Sequence, residues 1–163
     1  MMNKQITLVT GYLGAPIREH SINFAKASNF SLLDLDEEIV KKDGRSIIRI
    51  CMMMGEHEYR NKEYDILNEI KENPNKFIGD KEGLVVMCGD GVLYDEMSKA
   101  LADNFDIRIC GDDMSEEELW QNAKTIQNSY HAFLNFGSEE DKRAKFHDFY
   151  QRQKAFYDSL GGK

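Results

Sequence analysis

The sequence predicts one α/β domain, a parallel sheet with helices packed on both of its faces. Two observations carry this expectation. Four short β-rich runs, 5–10 (QITLVT), 30–36 (FSLLDLD), 83–89 (GLVVMCG) and 105–111 (FDIRICG), have the apolar character of strands. Between them lie segments whose apolar residues recur at helical spacing, and strand alternating with helix implies parallel crossover connections. At 163 residues, 41% of them hydrophobic, the chain is long enough for one proper core and short for two, so 1–163 is read as a single domain.

In chain order, the first two runs are continuous enough to be buried on both faces, whereas 105–111 is less uniformly apolar. Helices are expected at about 19–28, at 37–43, over 46–72 (Ile47, Ile50, Cys51, Met54, then Ile66, Leu67, Ile70) and over 93–103 (Leu93, Met97, Ala100, Leu101). Ser115 with Glu118 forms a capping box that opens a helix over 115–129. A last helix, 139–160, carries Phe146, Phe149, Tyr150, Gln153, Phe156, Tyr157 and Leu160, read as core residues rather than a stacking platform for bases. Ligands of such sheets bind beyond the carboxyl ends of the strands, which singles out 11–20, 34–38, 88–92 and 111–114.

Composition narrows the partners. A net charge of −8 leaves no basic patch for nucleic acid or an anionic membrane, so neither is expected. No apolar run is long enough to span a bilayer, and the first residues, MMNKQITLVTGYLG, lack the apolar core of a signal peptide, so the expected location is cytoplasmic. Cys51, Cys88 and Cys110 are odd in number and scattered, which reads as buried reduced thiols.

Collinear motifs in those loops resemble the shikimate kinase family of the P-loop nucleoside-kinase-like superfamily. GYLGA (11–15) resembles the start of a phosphate loop, and LLDLDEEI (32–39) the family's Asp-x-Asp segment. GRSIIRI (44–50) and GEHEYRNKE (55–63) resemble its Gly-x-Ser-Ile and Gly-Glu-x-x-aromatic-Arg-x-x-Glu segments. CGDGV (88–92) stands where the family has three glycines, and YQRQKAFY (150–157) resembles its arginine-bearing helix. The resemblance implies a three-layer α/β/α sandwich with about four parallel strands in the order 2-3-1-4, and a lid-like region at about 112–138. It also implies roles. Asp36 would bind substrate hydroxyls and orient the attacking one, and would be catalytic only in an active enzyme; Asp34 would lie near a magnesium shell. Arg60 and Arg152 would grip a carboxylate, a task suited to the planar guanidinium. Glu63 would position Arg60, and Gly89 and Gly91 would let a ligand ring approach closely. Plainer readings stand beside these: Asp34 or Asp36 caps the helix beginning at Glu37, Arg60 forms a helix-surface pair with Glu56 or Glu63, and Arg152 snorkels on an aromatic helix.

The chain departs from the family where the nucleotide would bind. A working phosphate loop offers consecutive backbone N–H groups, a lysine and a Ser/Thr hydroxyl. Between Gly11 and Glu19 this loop has Gly14, Pro16 without an N–H, Ile17 at the lysine position and Arg18 at the hydroxyl position. Asp90 replaces the middle glycine of the 88–92 turn, and Lys124 and His131 are the only lid candidates for the family's arginines. The chain stops at SLGGK, without the strand that the family adds there. The expectation is a degenerate family member that has lost ATP-dependent phosphoryl transfer and binds a small hydroxylated carboxylate or anion, with no cofactor. The alternatives are an active shikimate or related small-molecule kinase, which alone would need Mg and ATP, and a relic that serves only a partner.

Overall fold

In the computed structural model, which describes residues 5–161, four strands form one parallel sheet in the order β2-β3-β1-β4. They are β1 (Gln5–Gly11), β2 (Phe30–Asp34), β3 (Gly83–Met87) and β4 (Asp106–Cys110). Leu8 of β1 faces Val86 of β3 and Ile107 of β4 in register, and Leu33 of β2 also pairs with Val86. The continuously apolar β1 and β3 are therefore central. The more polar 105–111 run becomes an edge strand whose first three residues are exposed, which is why it lacks the uniform apolar pattern. The other edge is β2, which corrects the expectation that 30–36 is buried on both faces: as an edge strand it leaves Leu32 exposed and its other residues half-buried.

The chain divides into two compact units, residues 5–11 with Pro16–Cys110, and Tyr12–Ala15 with 111–161. The first contains the sheet and six helices: α1 (Ile17–Ser28), α2 (Leu35–Asp43), α3 (Ile47–Met54), α4 (Glu56–Glu72), α5 (Pro74–Ile78) and α6 (Glu96–Ala102). The helix expected over 46–72 is two helices. Gly55, at φ 89° and ψ 161°, leaves the helical region, and its N–H closes α3 on the Cys51 carbonyl. Helix α2 begins two residues earlier than expected because Asp34, the last residue of β2, accepts from the Glu37 N–H and caps it. Pro74 opens the unforeseen α5, as proline does at a first helical turn. Leu8, Leu35, Ile50, Tyr59, Leu67 and Val85 are fully buried within this unit.

The second unit contains α7 (Glu116–Ala123) and α8 (Glu139–Gly161). The Ser115–Glu118 capping box forms as expected. Helix α7 ends six residues before the expected limit, where Thr125 Oγ1 turns back to the Asn122 carbonyl instead of extending the helix. The α8 aromatics supply core: the Trp120 and Phe146 rings lie 5.4 Å apart, and Tyr12 meets Tyr157 edge-on at 5.0 Å. One polar residue interrupts that face. Gln153 is 2% exposed, and its Oε1 accepts from the Leu13 N–H at 2.8 Å. Of the three free cysteines, Cys88 and Cys110 are buried and Cys51 is half-buried, which corrects its reading as a buried thiol.

Replacing Gln153 by Leu strands the buried Leu13 N–H. Urea unfolding of Gln153→Leu should show a loss of about 1–3 kcal/mol at unchanged m-value. A change below about 0.5 kcal/mol, the range of ordinary surface substitutions, contradicts this role.

Candidate functional site

The strand-to-helix loop after β1 turns on Gly14 and pairs several of its polar groups within its own chain. Gly14 has φ 94°, and a Cβ there would run into the Leu119 carbonyl oxygen, so only glycine fits. The Ala15 N–H donates to the Tyr12 carbonyl at 2.9 Å, the Leu13 N–H goes to Gln153, and Asn122 Nδ2 donates to the Gly14 carbonyl at 2.9 Å. Pro16, just before α1, has no N–H to offer. Ile17 is half-buried. Arg18 reaches across to the end of β2, where its Nη2 lies 3.0 Å from Asp34 Oδ2. A guanidinium thus sits on the acid that the resemblance places near a metal, and Asp34 also caps α2. This donor set does not fit Mg–ATP: it has no lysine, no hydroxyl for the metal, and a resident cation on the nearest carboxylate.

Around the carboxyl end of β3, unit one gathers a second set of groups on α4, the start of α2 and the 88–91 turn. Tyr59 donates its hydroxyl to Asp36 Oδ1 at 2.6 Å. Arg60 is only 5% exposed. Its Nη1 donates to Glu63 Oε1 at 2.8 Å, while Nε and Nη2 both reach Glu56 Oε2, at 3.2 and 2.9 Å. The guanidinium carbon lies 4.8 Å from the Tyr59 ring centroid and 5.9 Å from that of Tyr94. A Cβ on Gly91 would strike Arg60 Nη2, and one on Gly89 would lie 3.0 Å from the Tyr59 hydroxyl. Both glycines therefore make room for protein side chains, rather than directly for a ligand ring. The turn is pinned to β1 by Thr10 Oγ1, which donates to the Gly89 carbonyl at 2.7 Å.

Electrostatically this is a cluster of carboxylates around the buried Arg60 guanidinium. Asp90, where the family has glycine, is 7% exposed, and Glu63 is completely buried with its Oε2 unpartnered. Burial pushes the Glu63 carboxyl up to about 7 against the pull of Arg60, with Asp36 and Asp90 adding like charge. Burial also raises the Asp36 carboxyl, opposed first by the Tyr59 hydrogen bond.

Asp34, Asp36, Arg60, Glu63, Gly89 and Gly91 are thus gathered within one unit, with Arg18 on Asp34. Arg152, Lys124 and His131 belong to the other unit. Arg152 is exposed on α8. Lys124 pairs with Glu139 at 3.4 Å. His131 lies among rings, 4.1 Å from Tyr130 and 4.8 Å from Phe149 between centroids. The sequence reading missed Tyr59 as the partner of Asp36, although it is the aromatic of the Gly-Glu-x-x-aromatic-Arg segment. It also missed Gln153 as the partner of the loop, although that residue is the polar exception on an aromatic helix face.

The raised Glu63 carboxyl has a pH signature. Between its unfolded value of about 4.3 and about 7, the native state binds more protons than the unfolded state, so stability falls as pH rises through that window. Urea unfolding at pH 5 and pH 7.5 should show this fall in the parent chain and a flatter response in Glu63→Gln; equal slopes would contradict it.

Comparison with known proteins bears on the family and the fold. A family model described as shikimate kinase matches residues 21–155. The chain is 34% identical over 77 residues to a shikimate kinase of Clostridium botulinum, covering 45% of each chain. It is 33% identical over 93 residues to one of Chlorobium limicola, covering 57% of this chain and 43% of the relative. In sequence, then, the chain spans less than half the length of these curated relatives. Among solved structures, the shikimate kinase of Acinetobacter baumannii in complex with shikimate superposes with a TM-score of 0.73 at 21% identity, covering 96% of this chain and 79% of that one. The Bacteroides thetaiotaomicron shikimate kinase gives 0.75 at 16% identity, covering 96% and 83%. Both share the fold, and the family match over most of the described residues settles descent: this chain belongs to the shikimate kinase family.

Proposed function

We propose that this family member has given up phosphoryl transfer and binds a small hydroxylated carboxylate through Arg60 and Asp36. The observation that carries the first half is the Arg18–Asp34 ion pair at 3.0 Å. Phosphoryl transfer depends on fixed cations around the moving charge, chiefly a loop lysine and a hydroxyl-held metal. Ile17 provides no charge at the lysine position, and Arg18 neutralises the carboxylate nearest the metal position, so neither ATP nor magnesium is expected to bind. Each missing group is worth orders of magnitude in rate, since 1.36 kcal/mol of barrier is tenfold.

The second half rests on the groups that remain. Arg60 is held flat and buried, and a fixed fork is suited to a ligand carboxylate. Asp36, whose other hydrogen bond comes from Tyr59, is suited to accept from a ligand hydroxyl. Shikimate, which is bound in the Acinetobacter baumannii structure, is the natural probe.

Calorimetric titration should give binding of shikimate, no binding of Mg–ATP, and no ADP from the mixture. Arg60→Lys, which keeps the buried charge but loses the fork, should weaken shikimate binding about tenfold or more, with circular dichroism confirming the fold. Turnover of ATP would overturn the loss of catalysis. Silence from shikimate would overturn the binding proposal and leave the scaffold reading.

A further inference from the structure

The two edges of the Arg60 guanidinium are held in different ways. The inner edge, Nη1, donates to Glu63, whose side chain is fully buried. The outer edge, Nε and Nη2, converges on Glu56 Oε2, and the Glu56 side chain is 55% exposed. An Nε/Nη2 edge facing a carboxylate is how arginine grips a carboxylate ligand. The guanidinium has no room to turn away: Gly91 lies against Nη2, and the Tyr59 and Tyr94 rings lie within 6 Å of its central carbon.

Glu56 is the first residue of α4, directly after Gly55 at φ 89°. Its side chain is more than half exposed, so it can rotate outward into solvent without disturbing the helix backbone. Once displaced, it still lies in the first turn, where the helix dipole favours negative charge. Glu63, by contrast, has no route to water.

We infer that Glu56 is a resident carboxylate on the docking edge of Arg60, which a ligand's carboxylate must displace, and that it is thereby a specificity-determining residue of the site. This rests on the reading of Arg60 as the carboxylate-binding group. A simple oxyanion offers Arg60 little that Glu56 does not already provide at high effective concentration. A hydroxylated carboxylate adds a hydrogen bond at Asp36 and can win the exchange. The apparent affinity of the site is lowered by the fraction of time that Glu56 occupies the edge; if this is nine-tenths, the loss is about tenfold.

The test compares the parent chain with Glu56→Gln and Glu56→Asp, the latter too short to reach Arg60 yet still acidic at the helix start. Sulfate and shikimate are titrated while the Arg60 Nε–H resonance, assigned by its absence in Arg60→Lys, is followed by NMR; thermal unfolding checks that each variant is folded. Both variants should bind shikimate about tenfold more tightly, and sulfate should move the Arg60 resonance in the variants at concentrations that leave the parent unchanged. If shikimate is silent throughout but sulfate moves the resonance in the variants alone, Glu56 is the competitor and the proposed ligand class is wrong. Equal or weaker shikimate binding by the variants means that Glu56 positions Arg60, which overturns this inference and leaves the proposed function standing. If neither probe moves the resonance in any chain, both fail.

Discussion

The first unit is organised around a constraint: a guanidinium cannot be buried without carboxylates to meet it. Arg60 has Glu63 on one edge and Glu56 on the other, and the surrounding chain adjusts to that arrangement. Gly91 must lack a side chain so that Nη2 can lie against the turn, and a Cβ on Gly89 would press on the Tyr59 hydroxyl that donates to Asp36. The turn in turn hangs on Thr10 at the end of β1, the strand that pairs with both β3 and β4. The sheet thus fixes the turn, the turn admits Arg60, and Arg60 compensates part of the charge of Glu63. Asp90 adds further negative charge to the cluster.

The loop after β1 presents the opposite economy. The left-handed Gly14 packs closely on Leu119, the Leu13 N–H is taken by Gln153, the Ala15 N–H closes a turn on the Tyr12 carbonyl, and the exposed Arg18 pairs with Asp34. Backbone geometry and ligand chemistry are separable. A turn can keep the first through steric fit whatever side chains it carries, and here Pro16 and Ile17 are accommodated in a strand-to-helix connection that turns on Gly14.

The sheet was legible because apolar run and helical periodicity alternate so plainly, but apolar character alone did not separate centre from edge, since 30–36 reads as a buried strand and lies at one edge. Helix boundaries were less legible. Periodicity runs through Gly55 on both sides, and only its positive φ reveals the break between α3 and α4. Helix α7 reads as continuing past Ala123 until the Thr125 hydroxyl is seen to turn back on Asn122. Motif resemblance singled out Asp36, Arg60, Gly89 and Gly91, which lie together around the end of β3, but it did not show how deeply Arg60 is buried. Glu56 and Glu63 at i−4 and i+3 of Arg60 look like ordinary surface partners; tertiary packing buries Arg60 and Glu63 and leaves Glu56 exposed. The Arg18–Asp34 pair joins two elements sixteen residues apart, and no local pattern encodes it.

The central claim is that the chain's own groups now occupy the nucleotide half of the fold while the Arg60 half stays open to exchange. Amide NMR spectra recorded during separate titrations with Mg–ATP and shikimate test it most directly. The account predicts that shikimate shifts the signals of Tyr59, Arg60, Gly89 and Gly91, and that Mg–ATP leaves those of Gly14, Ala15, Ile17 and Arg18 in place. Saturable movement of the loop signals with Mg–ATP would contradict it.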